Sequence, residues 1–135
     1  MSRQAARESA MKLLYESEFN IDFDTETTLE LMAPLELSPN DRIFLDAAKD
    51  GTLLHLDEID AIIEKHAKGW SLERISKVDK SILRLAIYEM IFGDTPEAIA
   101  INEAVDMART FSSEEAASFV NGILGAVSRG RTENE

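Results

Sequence analysis

The chain has 135 residues, no cysteine and a formal net charge of −12, a length that suits one domain or two small subdomains sharing a core. The lack of cysteine excludes disulfides, thiol nucleophiles and zinc-thiolate sites, and the excess of acid argues against an indiscriminate polyanion binder. No apolar run approaches the roughly 20 residues that span a bilayer, and the N-terminus is polar and charged, so the expectation is a soluble, cytoplasmic protein with no membrane segment.

Leu, Ile, Ala and Glu are abundant while glycine and proline are scarce, which favours helices. Ser2 can cap a first helix running to about Phe19, with Ala6, Ala10, Leu13, Leu14 and Ser17 on one face. Asn20 to Pro34 is acidic, with a short apolar cluster at Leu29, Leu31 and Met32, and reads as a loop holding one or two helical turns. Ser38-Pro39-Asn40-Asp41 is a helix start, with serine at the N-cap, proline at the first helical position and acid in the first turn. From there the pattern predicts helix to Ala67, with Ile43, Ala47, Leu54, Ile59, Ile62 and Ile63 inward and a weak point at Gly51.

Gly69 fits a helix stop, Ser71 starts a short helix at Leu72–Ile75, and Asp79 opens the next one. That helix carries Ile82, Leu83, Leu85, Ala86, Ile87, Met90, Ile91 and Phe92, which surround most of its circumference and make it the central, buried element. Gly93 ends it. Thr95-Pro96-Glu97 begins a helix with Ile101, Ala104, Val105 and Ala108 inward, and Ser112-Ser113-Glu114-Glu115 reads as a capping box for the last helix. No run alternates as a strand does. The expected fold is all-α, about seven helices in two packed bundles: residues 1–68, residues 69–128, and a polar tail over 129–135.

The charge is regional. Residues 1–19 balance Arg3, Arg7 and Lys12 against Glu8, Glu16 and Glu18; residues 20–67 hold most of the acid; residues 68–84 turn basic with Lys68, Arg74, Lys77, Lys80 and Arg84. A less acidic surface can therefore be assembled from the first helix and the C-terminal half.

Catalytic chemistry finds little support. His55 and His66 are the only imidazoles, neither with a glutamate three residues before it, so the paired Glu-x-x-His pattern of helical di-iron sites is missing. No phosphate-cradling glycine loop or nucleotide fingerprint occurs. The chain reads as non-catalytic, with no cofactor and no metal. What burial leaves unexplained is in the last helix. Ala116, Val120, Ile123, Leu124 and Val127 form its apolar stripe, whereas Phe119, Asn121 and Gly122 fall off it. An aromatic ring, an amide and a glycine grouped outside a core stripe have the make-up of a recognition surface.

Three blocks are more specific still. Trp70-Ser71-Leu72-Glu73-Arg74-Ile75, Val78–Ala86 and Tyr88-Glu89-Met90 are followed by Pro96, Ala100–Val105 and Ala108-Arg109, and the series closes with Phe119–Leu124. Together with Arg3, Ala6-Arg7-Glu8, Ala10 and Leu14-Tyr15 near the start, this ordered series resembles the NusB family of bacterial transcription antitermination factors. The resemblance covers residues 3–16 and 70–127. It implies an all-helical protein that pairs with the small-subunit ribosomal protein NusE. With NusE it binds single-stranded boxA RNA and helps RNA polymerase, within an antitermination complex, read through termination signals, notably in ribosomal RNA operons.

Carried over residue by residue, the resemblance implies RNA binding by Arg3, Arg7, Tyr15, Phe119 and Asn121, with Gly122 permitting close approach, and partner binding by Glu73, Arg74 and Asp79. The chemistry suits those roles. Arginine contacts phosphate and stacks on bases, rings stack unpaired bases, and an amide offers both a donor and an acceptor. Each residue also has a structural reading: Tyr15 and Phe119 as core-edge rings, Asn121 as a hydrogen-bonder to a helix end, Glu73 and Asp79 as first-turn acids. Arg84 and Glu89, on the polar strip of a buried helix, are expected to form internal ion pairs. With only Arg3 and Arg7 in the N-terminal segment, RNA binding by the chain alone should be weak and should tighten with the partner. Two other readings remain: an RNA-binding module for rRNA modification, and an adaptor with no strong RNA binding of its own.

Overall fold

The computed structural model describes residues 3–19 and 37–133. Six α-helices run through these residues: α1 (Arg3–Ser17), α2 (Pro39–Leu54), α3 (Leu56–His66), α4 (Lys77–Ile87), α5 (Glu97–Phe111) and α6 (Glu114–Glu133). A 3₁₀ turn at Leu72–Arg74 precedes α4, and a π-helical segment at Tyr88–Phe92 extends it. No strand occurs among the described residues. The Ser2 cap and the Leu29, Leu31 and Met32 cluster lie outside them.

Helix α4 is the hub. Ser81 through Ile87 are all buried, and α4 packs against each of the other five α-helices. Its aliphatic side chains each contribute about 1.5–3 kcal/mol when moved from water to the interior, so an all-round apolar helix is stable only at the centre. The most extensive helix pairs are α5 with α6 and α1 with α2, one on each side of α4. On α6 the stripe Ala116, Val120, Ile123, Leu124 and Val127 is buried as its spacing predicts.

Several local readings shift by one turn. On α2 the buried residues are Asp41, Leu45, Ala48 and Thr52, while Ile43 and Leu54 are 67% and 79% exposed and Ala47 is also exposed. Two polar members of the true stripe hide it from a hydrophobic count. The break in this helical region comes at His55, not at Gly51. Gly51 has a packing reason instead: a Cβ there would lie 2.7 Å from Tyr88 Cζ.

Caps explain the helix starts. Ser38 Oγ accepts from Asp41 N–H at 3.1 Å with Pro39 at N1, as expected. The cap of α4 is Ser76, whose Oγ accepts from Asp79 N–H at 3.2 Å, so Asp79 sits in the first turn and does not open the helix. For α6 the cap is Ser113, accepting from Ala116 N–H at 3.0 Å. That register puts alanine at N3, so the glutamate half of a capping box is missing. Gly69, at φ +82°, takes the left-handed conformation that lets the chain turn out of α3. Helix α6 also continues past the boundary expected at residue 128. Its Arg131 donates to Met90 O at 2.6 Å and to Glu97 Oε2 at 3.2 Å.

Candidate nucleic-acid interface

Five of the expected site residues line two cavities, and Tyr15, Asn121, Gly122 and Glu73 line neither. The first, about 340 Å³, lies between the start of α4 and the start of α6 and is lined by Trp70, Arg74, Ile75, Ser76, Asp79, Ser113, Glu115, Ala116 and Phe119. Phe119 is half-buried, meeting the Trp70 ring edge-on at 6.1 Å between centroids and 63° between planes. Trp70 is 52% exposed, a large apolar surface left in water. Asp79 turns one carboxylate oxygen, Oδ1, into a buried position without a hydrogen-bond partner. Arg74 and Glu73 are exposed on the 3₁₀ turn. One cavity thus gathers Phe119 with Arg74 and Asp79, residues the sequence assigned to two different ligands.

Asn121 and Gly122 are exposed one turn further along α6. A Cβ at Gly122 would meet nothing within 4 Å, so packing does not require glycine there. The space above it is open to an approaching group.

The second cavity, about 400 Å³, holds Arg3 and Arg7 with Phe44, Tyr88, Glu89, Phe92, Thr95 and Ile99 among its walls. Arg3 is exposed; its Nε donates to Asp41 Oδ1 at 3.0 Å and its guanidinium lies 4.4 Å from the Phe44 ring centre. Arg7 is buried, its Nε donating to both Glu89 oxygens at 2.9 and 3.1 Å. Thr95 Oγ1 donates to the same carboxylate at 2.8 Å. Burial, and then the charges of Asp94 and Glu89, push the neighbouring Tyr88 phenol up from its ordinary pKa.

Tyr15 is half-buried and meets Phe19 edge-on at 5.0 Å. Phe19 in turn lies under Lys77, whose ammonium is 5.4 Å from the ring centre, and Lys12 stands 5.1 Å from the Phe111 ring. The adjacent Glu18 is drawn inward. Burial opposes its ionisation, but Arg84 and Lys80 outweigh that and hold its carboxyl below the usual range. Arg84 is itself chelated, Nε and NH2 each donating to Asp60 at 2.8 Å, with NH1 on Glu18. Glu89, paired with Arg7, and Arg84, paired with Asp60 and Glu18, are therefore each held in an internal ion pair, as their place on a buried helix implied.

Three residues of this region escaped the sequence reading as site candidates: Trp70, Phe19 and Lys77. The i, i+4 spacing of Tyr15 and Phe19 was a readable signal; the approach of Lys77 and Trp70 was not, since both come from other elements. His55 is accounted for structurally, its ring stacked on Phe92 at 3.8 Å and Nδ1 3.2 Å from Glu58. At the end of α3, burial and then the charges of Lys65, Arg129 and Lys68 lower the pKa of His66. Among the described residues no three His, Asp or Glu side chains are grouped to hold a metal ion, and no helix is long and apolar enough to cross a membrane.

A central helix packed against five others, with no strand among the described residues, defines an all-α protein. Residues 4–129 match the NusB family model, and the chain belongs to that family. A relative from Acetivibrio thermocellus named transcription antitermination protein NusB is 49% identical over 128 residues, 94% of this chain and 88% of the relative. One of the same name from Ruminiclostridium cellulolyticum is 42% identical, covering 100% of this chain and 94% of its own. Among solved structures, T. maritima NusB superposes with a TM-score of 0.85 at 32% identity, over 96% of this chain and 92% of that one. A crystal structure of antitermination factors NusB and NusE in complex with dsRNA gives 0.84 at 27% identity, over 95% and 96%.

Proposed function

We propose that this chain is a non-catalytic transcription antitermination factor of the bacterial cytoplasm. It binds boxA-type RNA jointly with ribosomal protein NusE and promotes read-through by RNA polymerase, notably in rRNA operons. The observation that carries this reading is the end-to-end family match, with relatives that bear the antitermination name at up to 49% identity. The likeness of the fold to a NusB subunit in a complex with NusE and RNA supports the same assembly.

In this reading Phe119, Tyr15, Asn121 and the open space over Gly122 meet RNA, Arg3 adds an exposed cation, and Arg7 acts through the position of α1. Glu73, Arg74 and Asp79 meet the basic ribosomal protein, where acidic side chains steer association. The Arg7–Glu89 pair favours weak RNA binding in isolation, since a guanidinium held by a buried carboxylate is not available to phosphate.

The test is a titration of boxA and scrambled single-stranded RNA with the chain alone and with NusE. Tight, sequence-selective binding only with NusE is expected. Absence of any boxA preference in the joint titration refutes joint RNA binding and leaves the adaptor reading, which the charge of −12 favours. Binding by the isolated chain as tight as by the complex at physiological salt removes the role given to the partner.

A further inference from the structure

We propose that the RNA strand crosses the C-terminal half of α1 on a strip of three rings and two ammonium groups. The strip is Phe111, Lys12, Tyr15, Phe19 and Lys77, and it leads to the Trp70–Phe119 cavity. Lys12 and Lys77, and not Arg7, supply its phosphate contacts. This rests on the RNA-binding reading above.

Charge accounting comes first. Arg3, Arg7, Arg84 and Lys80 are each held by a carboxylate: Asp41, Glu89, Asp60 with Glu18, and Glu18. Lys12 and Lys77 are placed differently. Among the described residues neither forms an ion pair with a carboxylate; each ammonium rests against a ring, 5.1 Å from Phe111 and 5.4 Å from Phe19. An ammonium on a ring keeps its charge and leaves its outward N–H groups for a phosphate. Glu18, the carboxylate closest in sequence to Phe19, is turned to Arg84 and Lys80.

Geometry comes second. Lys12 and Tyr15 are three residues apart and share a face of α1, Phe19 follows four residues later, and the span is about 10 Å along the helix. Phe19 is 58% exposed, so its ring has a free surface for a base. Both ends of the strip lie within two residues of the cavity wall in sequence: Ser76 precedes Lys77, Ser113 lies two residues after Phe111, and both serines line the cavity. Rings that stack bases beside cations that track the backbone are the two components of single-strand recognition, and the strip supplies both within one surface.

The experiment is fluorescence anisotropy with a labelled single-stranded boxA RNA. The full chain with NusE is titrated across a salt series, against Lys12→Gln/Lys77→Gln, Phe19→Ala and the control Lys65→Gln/Lys68→Gln. The control removes the same charge from the end of α3 and the turn after it, which contribute no residue to the strip. The strip predicts that the Lys12/Lys77 pair weakens binding about tenfold and reduces the slope of log K against log salt by about 1.4, two single-strand phosphates. Phe19→Ala should weaken binding several-fold with the slope unchanged, because a stacked base carries no counterion. The control pair should lower affinity far less than the strip pair. Equal losses from the two lysine pairs, or an unchanged slope in Lys12→Gln/Lys77→Gln while the parent chain binds, overturns the strip and leaves the RNA-binding reading standing. No boxA preference in the parent complex overturns the reading itself. Circular dichroism confirms that each variant is folded.

Discussion

Arg7 and Glu89 lie 82 positions apart and meet in the interior through one guanidinium nitrogen shared between two carboxylate oxygens, at 2.9 and 3.1 Å. The pair fastens α1 to the π-helical extension of α4. The π turn is part of the arrangement: Gly93 N–H reaches back five residues to Tyr88 O at 2.9 Å, and within this widened turn Glu89 faces the core.

Removing one partner leaves a buried charge unpaired. Arg7→Met is therefore expected to cost about 3–5 kcal/mol in urea unfolding. Arg7→Met with Glu89→Met should cost less than Arg7→Met alone, because no stranded carboxylate remains. A single-variant loss under about 1 kcal/mol, near the range of an exposed pair, counts against the pair as the tie between α1 and α4.

Gly51 sits inside α2, where alanine would ordinarily add about 1 kcal/mol of helix stability. Here the added Cβ collides with the Tyr88 ring, and overpacking of this kind costs about 1–3 kcal/mol. Gly51→Ala is expected to lower the Tm, and a double-mutant cycle with Tyr88→Leu should show coupling between the two positions. A raised Tm, or additive effects, would mean that the ring yields freely.

Glu18 carries a pH signature. Its folded pKa lies below its ordinary value, so the unfolded chain binds the extra proton first and stability falls with acidification. The contribution is complete above the ordinary carboxylate range and is lost as pH drops through the depressed folded value. Glu18→Gln should be less stable than the parent at neutral pH, with the gap closing in acid. A gap that widens on acidification contradicts the Arg84 and Lys80 pairing.

His66 has the same sign by a different route. Burial and the charges of Lys65, Arg129 and Lys68 lower its pKa, so the fold favours its neutral form. Its contribution is present above the ordinary imidazole range and is lost as pH falls through the folded value. Between about pH 7 and pH 5, the parent should lose stability relative to His66→Gln. Lys65→Gln/Lys68→Gln should shrink that dependence; parallel pH profiles for parent and His66→Gln would remove the histidine from the cause.

Local patterns carried much of this protein. The all-round apolarity of α4, the α6 stripe, the Ser38 cap and the Gly69 stop are consequences of residues within a few positions of one another. They were legible because helical spacing acts over three or four residues. The same spacing placed Asn121 and Gly122 off the core, where they stand exposed, whereas Phe119 is half-buried and packs against the core. It failed on α2, where Asp41 and Thr52 belong to the buried face and break the hydrophobic count.

Which charges are spent and which are available was decided only by tertiary structure. Arg3, Arg7, Lys12 and Lys77 look alike in the sequence. The fold neutralises the two arginines with Asp41 and Glu89 and seats the two lysines on rings. The partner in every case comes from a separate element, 38 positions away for Arg3, 82 for Arg7 and further still for Lys12. Ion pairing depends on distance in space, and burial amplifies it, so no spacing rule along the chain could have ranked them. The sequence determined an all-helical NusB-family chain with an aromatic, an amide and a glycine grouped on its last helix; packing around α4 decided which cations are held by carboxylates and which rest on rings.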